Sequence, residues 1–104
     1  MTESFDAVVV GAGPAGSAAA TVLAGSGRAV LLLEKDVFPR HKVCGEFLSP
    51  DALPSLDRLG TRAEIESATA ERMTRGALHL PGRRAVRFEL PRPALGISRL
   101  RLDD

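Results

Sequence analysis

Aromatic residues and cysteine are scarce in this chain. Its 104 residues include four Phe, one Cys, and no Trp or Tyr. One thiol cannot form an internal disulfide or a Cys-rich zinc site. The aromatic platforms on which single-stranded nucleic acid stacks are almost missing. Charge of one sign is missing too, because 14 basic and 13 acidic side chains leave a net of +1. A nucleic-acid partner is therefore not expected. Long apolar runs are absent as well. Residues 7–10 (AVVV) follow Glu3 and Asp6 rather than a basic region, and Gly and Pro interrupt the stretch soon afterwards. That pattern predicts neither an export signal nor a transmembrane segment, and so a cytoplasmic protein. The lone Cys44 is compatible with a reducing compartment. With 44 % apolar and 26 % charged residues, the composition is that of a globular protein.

Charge is uneven along the chain. Residues 1–71 hold 6 basic and 10 acidic side chains, whereas residues 72–101 hold eight Arg and only Glu89. These arginines follow no single helical or strand face, so they read as a solvated surface more readily than as an anion site. His41 and His79 are isolated, without metal-ligand spacing to acids or to Cys44. No metal site is expected. Six of the seven prolines fall after residue 38. The first third is therefore one smooth unit, and the rest is broken into short pieces.

That first third predicts a β-α-β unit over residues 5–34. Residues 5–10 (FDAVVV) suit a short buried parallel strand. A glycine turn follows at Gly11, Gly13, Pro14, Ala15 and Gly16. Residues 17–24 are Ala-rich and helix-forming. Gly25-Ser26-Gly27 supplies a left-handed cap. Residues 28–33 (RAVLLL) form a second strand with Glu34 at its end. Two parallel strands joined by a helix require a right-handed crossover. The turn then lies at the carboxyl end of the first strand, where ligands bind in open α/β sheets.

The glycine spacing has a chemical meaning. Gly11 permits the tight turn, Gly13 lets a pyrophosphate approach the backbone, and Gly16 lets helix and strand pack closely. The helix N-terminus offers unbonded N–H groups and the positive end of its dipole. Pro14 is tolerated in the first turn, where its missing N–H has no intrahelical partner. Glu34 falls 18 residues after Gly16, placed for hydrogen bonds from both hydroxyls of an adenosine ribose. The full strand–turn–helix–strand context implies a dinucleotide site. The acid would repel a 2′-phosphate, which argues against NADP in this pocket and leaves NAD and FAD open.

The residues of the glycine turn with Glu34-Lys35 resemble the N-terminus of FAD-dependent oxidoreductases. Residues 38–50 (FPRHKVCGEFLSP) resemble the PRxKxCG segment of the geranylgeranyl reductase-like group of flavoproteins. That group is related to aromatic-ring hydroxylases and flavin-dependent halogenases. Residues 51–60 (DALPSLDRLG) resemble the helix that follows it, and Ile97-Ser98-Arg99 with Leu102-Asp103 resembles a later SRxxLD segment. The resemblance implies FAD as cofactor. Ala15 would contact the pyrophosphate, Glu34 the ribose, and Arg99 would lie near the phosphates. Lys35 would also contact the cofactor, and Cys44 and Gly45 would lie beside the flavin. Glu46 stands where many prenyl reductases carry a second glycine. This departure points away from prenyl reduction and leaves FAD binding intact.

From the residues alone, Cys44 reads as a small hydrophobe, Lys42 as a solvated loop lysine and Arg99 as a surface helix arginine. Residues 36–60 are expected to form a loop and a helix. Residues 76–80 and 85–90 are expected to form a β-hairpin (76–90) ended by Pro91 and Pro93, with Ser98 capping a short helix from Arg99. The fold class is thus α/β, a Rossmann-type start with a small antiparallel addition, forming an incomplete domain whose substrate domain lies elsewhere. The implied activity is that of an FAD-dependent oxidoreductase taking hydride from NAD(P)H. It would then reduce a lipid-like substrate or oxygenate an aromatic one. No residue is assigned as acid or base for that second step. The alternatives are a non-catalytic nucleotide-binding fragment and an NAD-dependent dehydrogenase, and the Cys44 segment speaks against the latter.

Overall fold

Strand β1 (Ala7–Val10) runs into the glycine turn, helix α1 (Pro14–Gly25) and strand β2 (Val30–Leu33). The two strands pair in parallel, from Ala7 opposite Val30 to Val10 opposite Leu33. This is the β-α-β unit that the apolar runs and the glycine turn predict. A computed structural model describes residues 2–68 and 70–104. They divide into two units, one of residues up to Val43 together with Arg99–Asp104, the other Cys44–Ser98.

In the first unit, β1 is shorter than the run 5–10 suggests. Asp6 closes the ladder with both its groups: its N–H donates to the Ala29 carbonyl at 2.8 Å, and its carboxylate accepts the Ala29 N–H at 2.9 Å. Helix α1 begins at Pro14, three residues before the Ala-rich run. Its first bond runs from the Ser17 N–H to the Gly13 carbonyl at 2.9 Å. The Ser17 hydroxyl donates to the Ala12 carbonyl, also at 2.9 Å. At the far end, Ser26 closes the helix on the carbonyls of Val22 and Leu23, and Gly27 (φ +83°) makes the reversal. The expectation of fully buried strands is not met. Ala7 and Val9 are half-buried, but Val8 is 56 % and Val10 82 % exposed. Helix α1 packs on one face of the two-stranded sheet, and the alternation of side chains leaves Val8 and Val10 on the other.

The second unit is a three-stranded antiparallel sheet in the order β3-β5-β4, with two short helices. Strand β3 (Phe47–Leu48) leads through a 3-10 turn at Pro50–Ala52 to α2 (Leu53–Leu59) and α3 (Arg62–Ser67). Strands β4 (Glu71–Leu78) and β5 (Val86–Gly96) form a hairpin longer than the expected 76–90. Pro91 and Pro93 do not end it. The register jumps from Met73 opposite Ala94 to Arg75 opposite Glu89, so both prolines fall in the irregular stretch between ladders. Proline has no N–H to donate, and a bulge is where a strand can hold it. Beyond the bulge β5 packs on the 3-10 turn, and Leu53, Ala94, Leu95 and Ile97 are the buried apolar side chains of this unit. The segment 36–60 therefore holds a short strand that pattern reading missed, because two residues are too few for periodicity. The chain returns to the first unit at α4 (Arg99–Leu102), where a helix was expected.

A cationic cleft at the glycine turn

The turn after β1 is built by its glycines. Gly11 adopts φ +103°, which a side chain would oppose, and its N–H donates to the Leu33 carbonyl at 2.7 Å. A Cβ on Gly16 would collide with the Gly11 carbonyl and touch Val9. Gly16 is thus what allows α1 to start this close to β1. A Cβ on Gly13 would sit 3.4 Å from the Arg99 guanidinium and 3.8 Å from that of Arg40. In the first turn of α1 the Ala15 and Gly16 amides have no i−4 carbonyl within the helix.

Glu34 follows β2 and reaches back to this turn. One carboxylate oxygen accepts the Ala12 N–H at 2.7 Å. The other accepts the Asp36 N–H at 3.1 Å. The Ala12 amide, followed by that of Asp36, holds the carboxyl below its ordinary range, aided by the nearby Arg40 charge. The group is therefore an anion at neutral pH. Each oxygen has a lone pair left over, because a carboxylate offers about four acceptor positions.

The turn and Glu34 face a cleft of about 530 Å³, a volume ordinary for a small-molecule site. Gly11, Gly13, Lys35 and Arg99 line it, and so do Arg40 and Lys42. Arg40 sits 3.9 Å from Glu34 and 3.5 Å from Asp36. Its guanidinium lies over the Phe38 ring, 4.6 Å from the centroid. It also donates to Asp103 at 2.7 Å. Arg99 donates to both oxygens of the same Asp103 carboxylate, at 2.7 and 2.8 Å.

Cys44 and Gly45 belong to the second unit. Cys44 is exposed, and its sulfur accepts the Glu46 N–H at 3.3 Å. Gly45 has an ordinary φ, and a Cβ there would meet nothing within 4 Å. Its own surroundings do not demand a glycine. Arg40 and Asp103 were missed by residue-by-residue reasoning. Arg40 stands in the PRxK segment, and Asp103 in the SRxxLD segment, but neither motif by itself says that the two side chains meet.

The cleft gathers groups of three kinds in the first unit. They are the Glu34 carboxylate, the backbone of the glycine turn, and the Arg40 and Arg99 guanidinium groups with Lys35 and Lys42. Residues 4–97 match the FAD-binding domain family, and the chain belongs to it. It is 40 % identical over 110 residues to the menaquinone reductase of Mycobacterium tuberculosis, covering all of this chain and 26 % of that protein. It is 57 % identical over 67 residues to a flavin-dependent halogenase of Armillaria mellea, covering 64 % of this chain and 13 % of the halogenase. The structure superposes on a myxobacterial FAD-dependent chondrochloren halogenase with a TM-score of 0.87 and 33 % identity, over 99 % of this chain and 25 % of the other. The chain thus spans about a quarter of the length of the first of these relatives and of the solved halogenase.

FAD is the cofactor of this family, and the donor set fits it. Glu34 lines the cleft with each carboxylate oxygen accepting a backbone amide, and Gly13 keeps the turn open beside two guanidinium groups. An NAD-dependent dehydrogenase is not what the family match supports. Among the described residues, no helix is long and apolar enough to cross a membrane.

Proposed function

We propose that this cleft holds the adenosine diphosphate half of FAD. Glu34 accepts hydrogen bonds from the ribose hydroxyls. The amides of Ala15 and Gly16, at the start of α1, face the pyrophosphate, with Gly11, Gly13 and Pro14 shaping the turn. Arg99, Arg40 and Lys35 supply the balancing positive charge. The ionised Glu34 repels a 2′-phosphate, which excludes NADP from this position. Cys44 and Gly45 serve the isoalloxazine end, where the absence of a Cβ on Gly45 leaves room for a flat ring. When bound, FAD supplies the redox chemistry, and the protein supplies position and electrostatics.

Residues 1–104 are then the N-terminal part of an FAD-binding domain, with the substrate domain elsewhere in the functional protein. That protein is an FAD-dependent oxidoreductase of the reductase or monooxygenase type, acting in the cytoplasm with NAD(P)H as electron donor. Its substrate is a lipid-like or aromatic small molecule. The 40 % identity to a menaquinone reductase supports the lipid-like side of that pair. The resemblance of the PRxKxCG segment supports the geranylgeranyl reductase-like group, and Glu46 in place of a second glycine sets the chain apart from prenyl reductases.

The observation that carries this reading is the Glu34 carboxylate, fixed by the Ala12 and Asp36 amides on the same cleft as the glycine turn. Titration of the purified chain with FAD, followed by flavin fluorescence, tests it. Saturable binding, with ADP competing and 2′-phospho-ADP failing to compete, is the expected result. Folded protein that takes up no FAD would overturn the reading.

A further inference from the structure

Asp103 lies 63 residues from Arg40 and four from Arg99 in sequence, yet it binds both. Its side chain is 1 % exposed. One oxygen takes a hydrogen bond from Arg40 and one from Arg99, and the other takes a second bond from Arg99. The two guanidinium groups thus converge on one carboxylate. The same two groups are what a side chain on Gly13 would meet. Two like charges held this close repel each other unless an anion sits between them. Long arginine side chains also lose much rotamer freedom when fixed, and a bidentate carboxylate partner offsets that loss.

We propose that Asp103 is the positioning residue of the diphosphate site: it braces Arg40 and Arg99 as a pre-formed pair of guanidinium groups beside Gly13. This inference rests on the cleft being a diphosphate site, and it goes beyond that by assigning a role to a carboxylate that itself repels phosphate. Simple charge counting predicts that removing an acid beside an anion site tightens binding. The brace predicts the reverse. Without Asp103 the tie between the two guanidinium groups is lost: Arg40 keeps Glu34 and Asp36, and Arg99 loses both of its bonds to this carboxylate. The site then pays an ordering cost for each arginine when phosphate binds.

The test uses the full chain with two probes, ADP and adenosine, measured by calorimetry for the unaltered protein and for Asp103→Asn. The expected result is ADP binding weakened about tenfold or more, with adenosine binding unchanged within about twofold. A general loss of structure would weaken both ligands alike, so an equal loss for ADP and adenosine overturns the proposal. ADP binding that is unchanged or tighter also overturns it, and would show that Asp103 only neutralises charge. If Asp103→Asn does not fold, Asp103→Glu serves instead. It keeps the charge but displaces the carboxylate by one methylene, and should weaken ADP severalfold while sparing adenosine; unaltered ADP affinity there overturns the brace. Failure of the unaltered chain to bind ADP at all is a different outcome, and overturns the site reading together with the brace.

Discussion

Glu34 links the turn to the cleft at the scale of a single residue. Its carboxylate fixes the turn through the Ala12 amide and still presents acceptor positions to a ligand. Glu34→Ala should therefore weaken FAD binding about tenfold or more, and flavin fluorescence titration reads this directly. Its carboxyl is held below the ordinary range by the Ala12 and Asp36 amides. Asp103 is also lowered: burial raises it, but hydrogen bonds from Arg99 and Arg40 outweigh that effect. A group whose folded value is depressed contributes stability above its unfolded value and loses it as pH falls through the folded one. Neither carboxylate then changes charge between pH 8 and about pH 5. Their contribution to stability and FAD affinity should stay flat across that window and fall only below about pH 4, which thermal unfolding as a function of pH would show. Glu46 has the opposite character. It is the one non-glycine residue with positive φ among those described, at +57°. The left-handed region costs a residue with a Cβ about 1–2 kcal/mol, and glycine avoids this at some loss of chain entropy. Glu46→Gly should thus raise stability by up to about 1 kcal/mol in denaturant unfolding.

The elements explain which substitutions the fold can absorb. Helix α1 meets β1 backbone to backbone at Gly16, where a methyl group would strike the Gly11 carbonyl. Neither partner can move without opening the turn. Gly16→Ala should destabilise the chain by about 1–3 kcal/mol and abolish measurable FAD binding. Gly76 on β4 gives a contrast. A Cβ there would meet the Phe88 ring on β5, but Phe88 is 48 % exposed and its ring can turn aside. Gly76→Ala should therefore change stability by less than about 1 kcal/mol, and calorimetric unfolding of the two variants side by side tests the difference. The hairpin also shows where local rules stop. Its strands continue through Pro91 and Pro93 because the bulge takes up residues that cannot donate to the ladder.

Over the whole molecule, the side chains proposed to hold the adenosine diphosphate half of FAD gather within the first unit. The cleft joins the glycine turn, Glu34 and the arginines, whereas Cys44 and Gly45 belong to the other unit. ADP should therefore compete with FAD for this chain; equilibrium dialysis with labelled FAD measures this. The chain spans 26 % of the menaquinone reductase it matches. Two of the residues lining the cleft, Val10 and Leu33, are exposed apolar side chains.

The sequence by itself determined the β-α-β unit, the place of the glycine turn, and Glu34 as the carboxylate facing it. All three are local. Apolar runs, glycine spacing and a strand end act over a few residues, and the parallel crossover admits one handedness. The sequence also located a hairpin, but not its length or the register jump that carries two prolines. Only the tertiary structure decided that Arg40, Arg99 and Asp103 converge beside Gly13, since Arg40 and Asp103 are 63 residues apart. Ion pairs at that separation depend on the path of the whole chain, and no local pattern of charge specifies which arginine a distant carboxylate will meet.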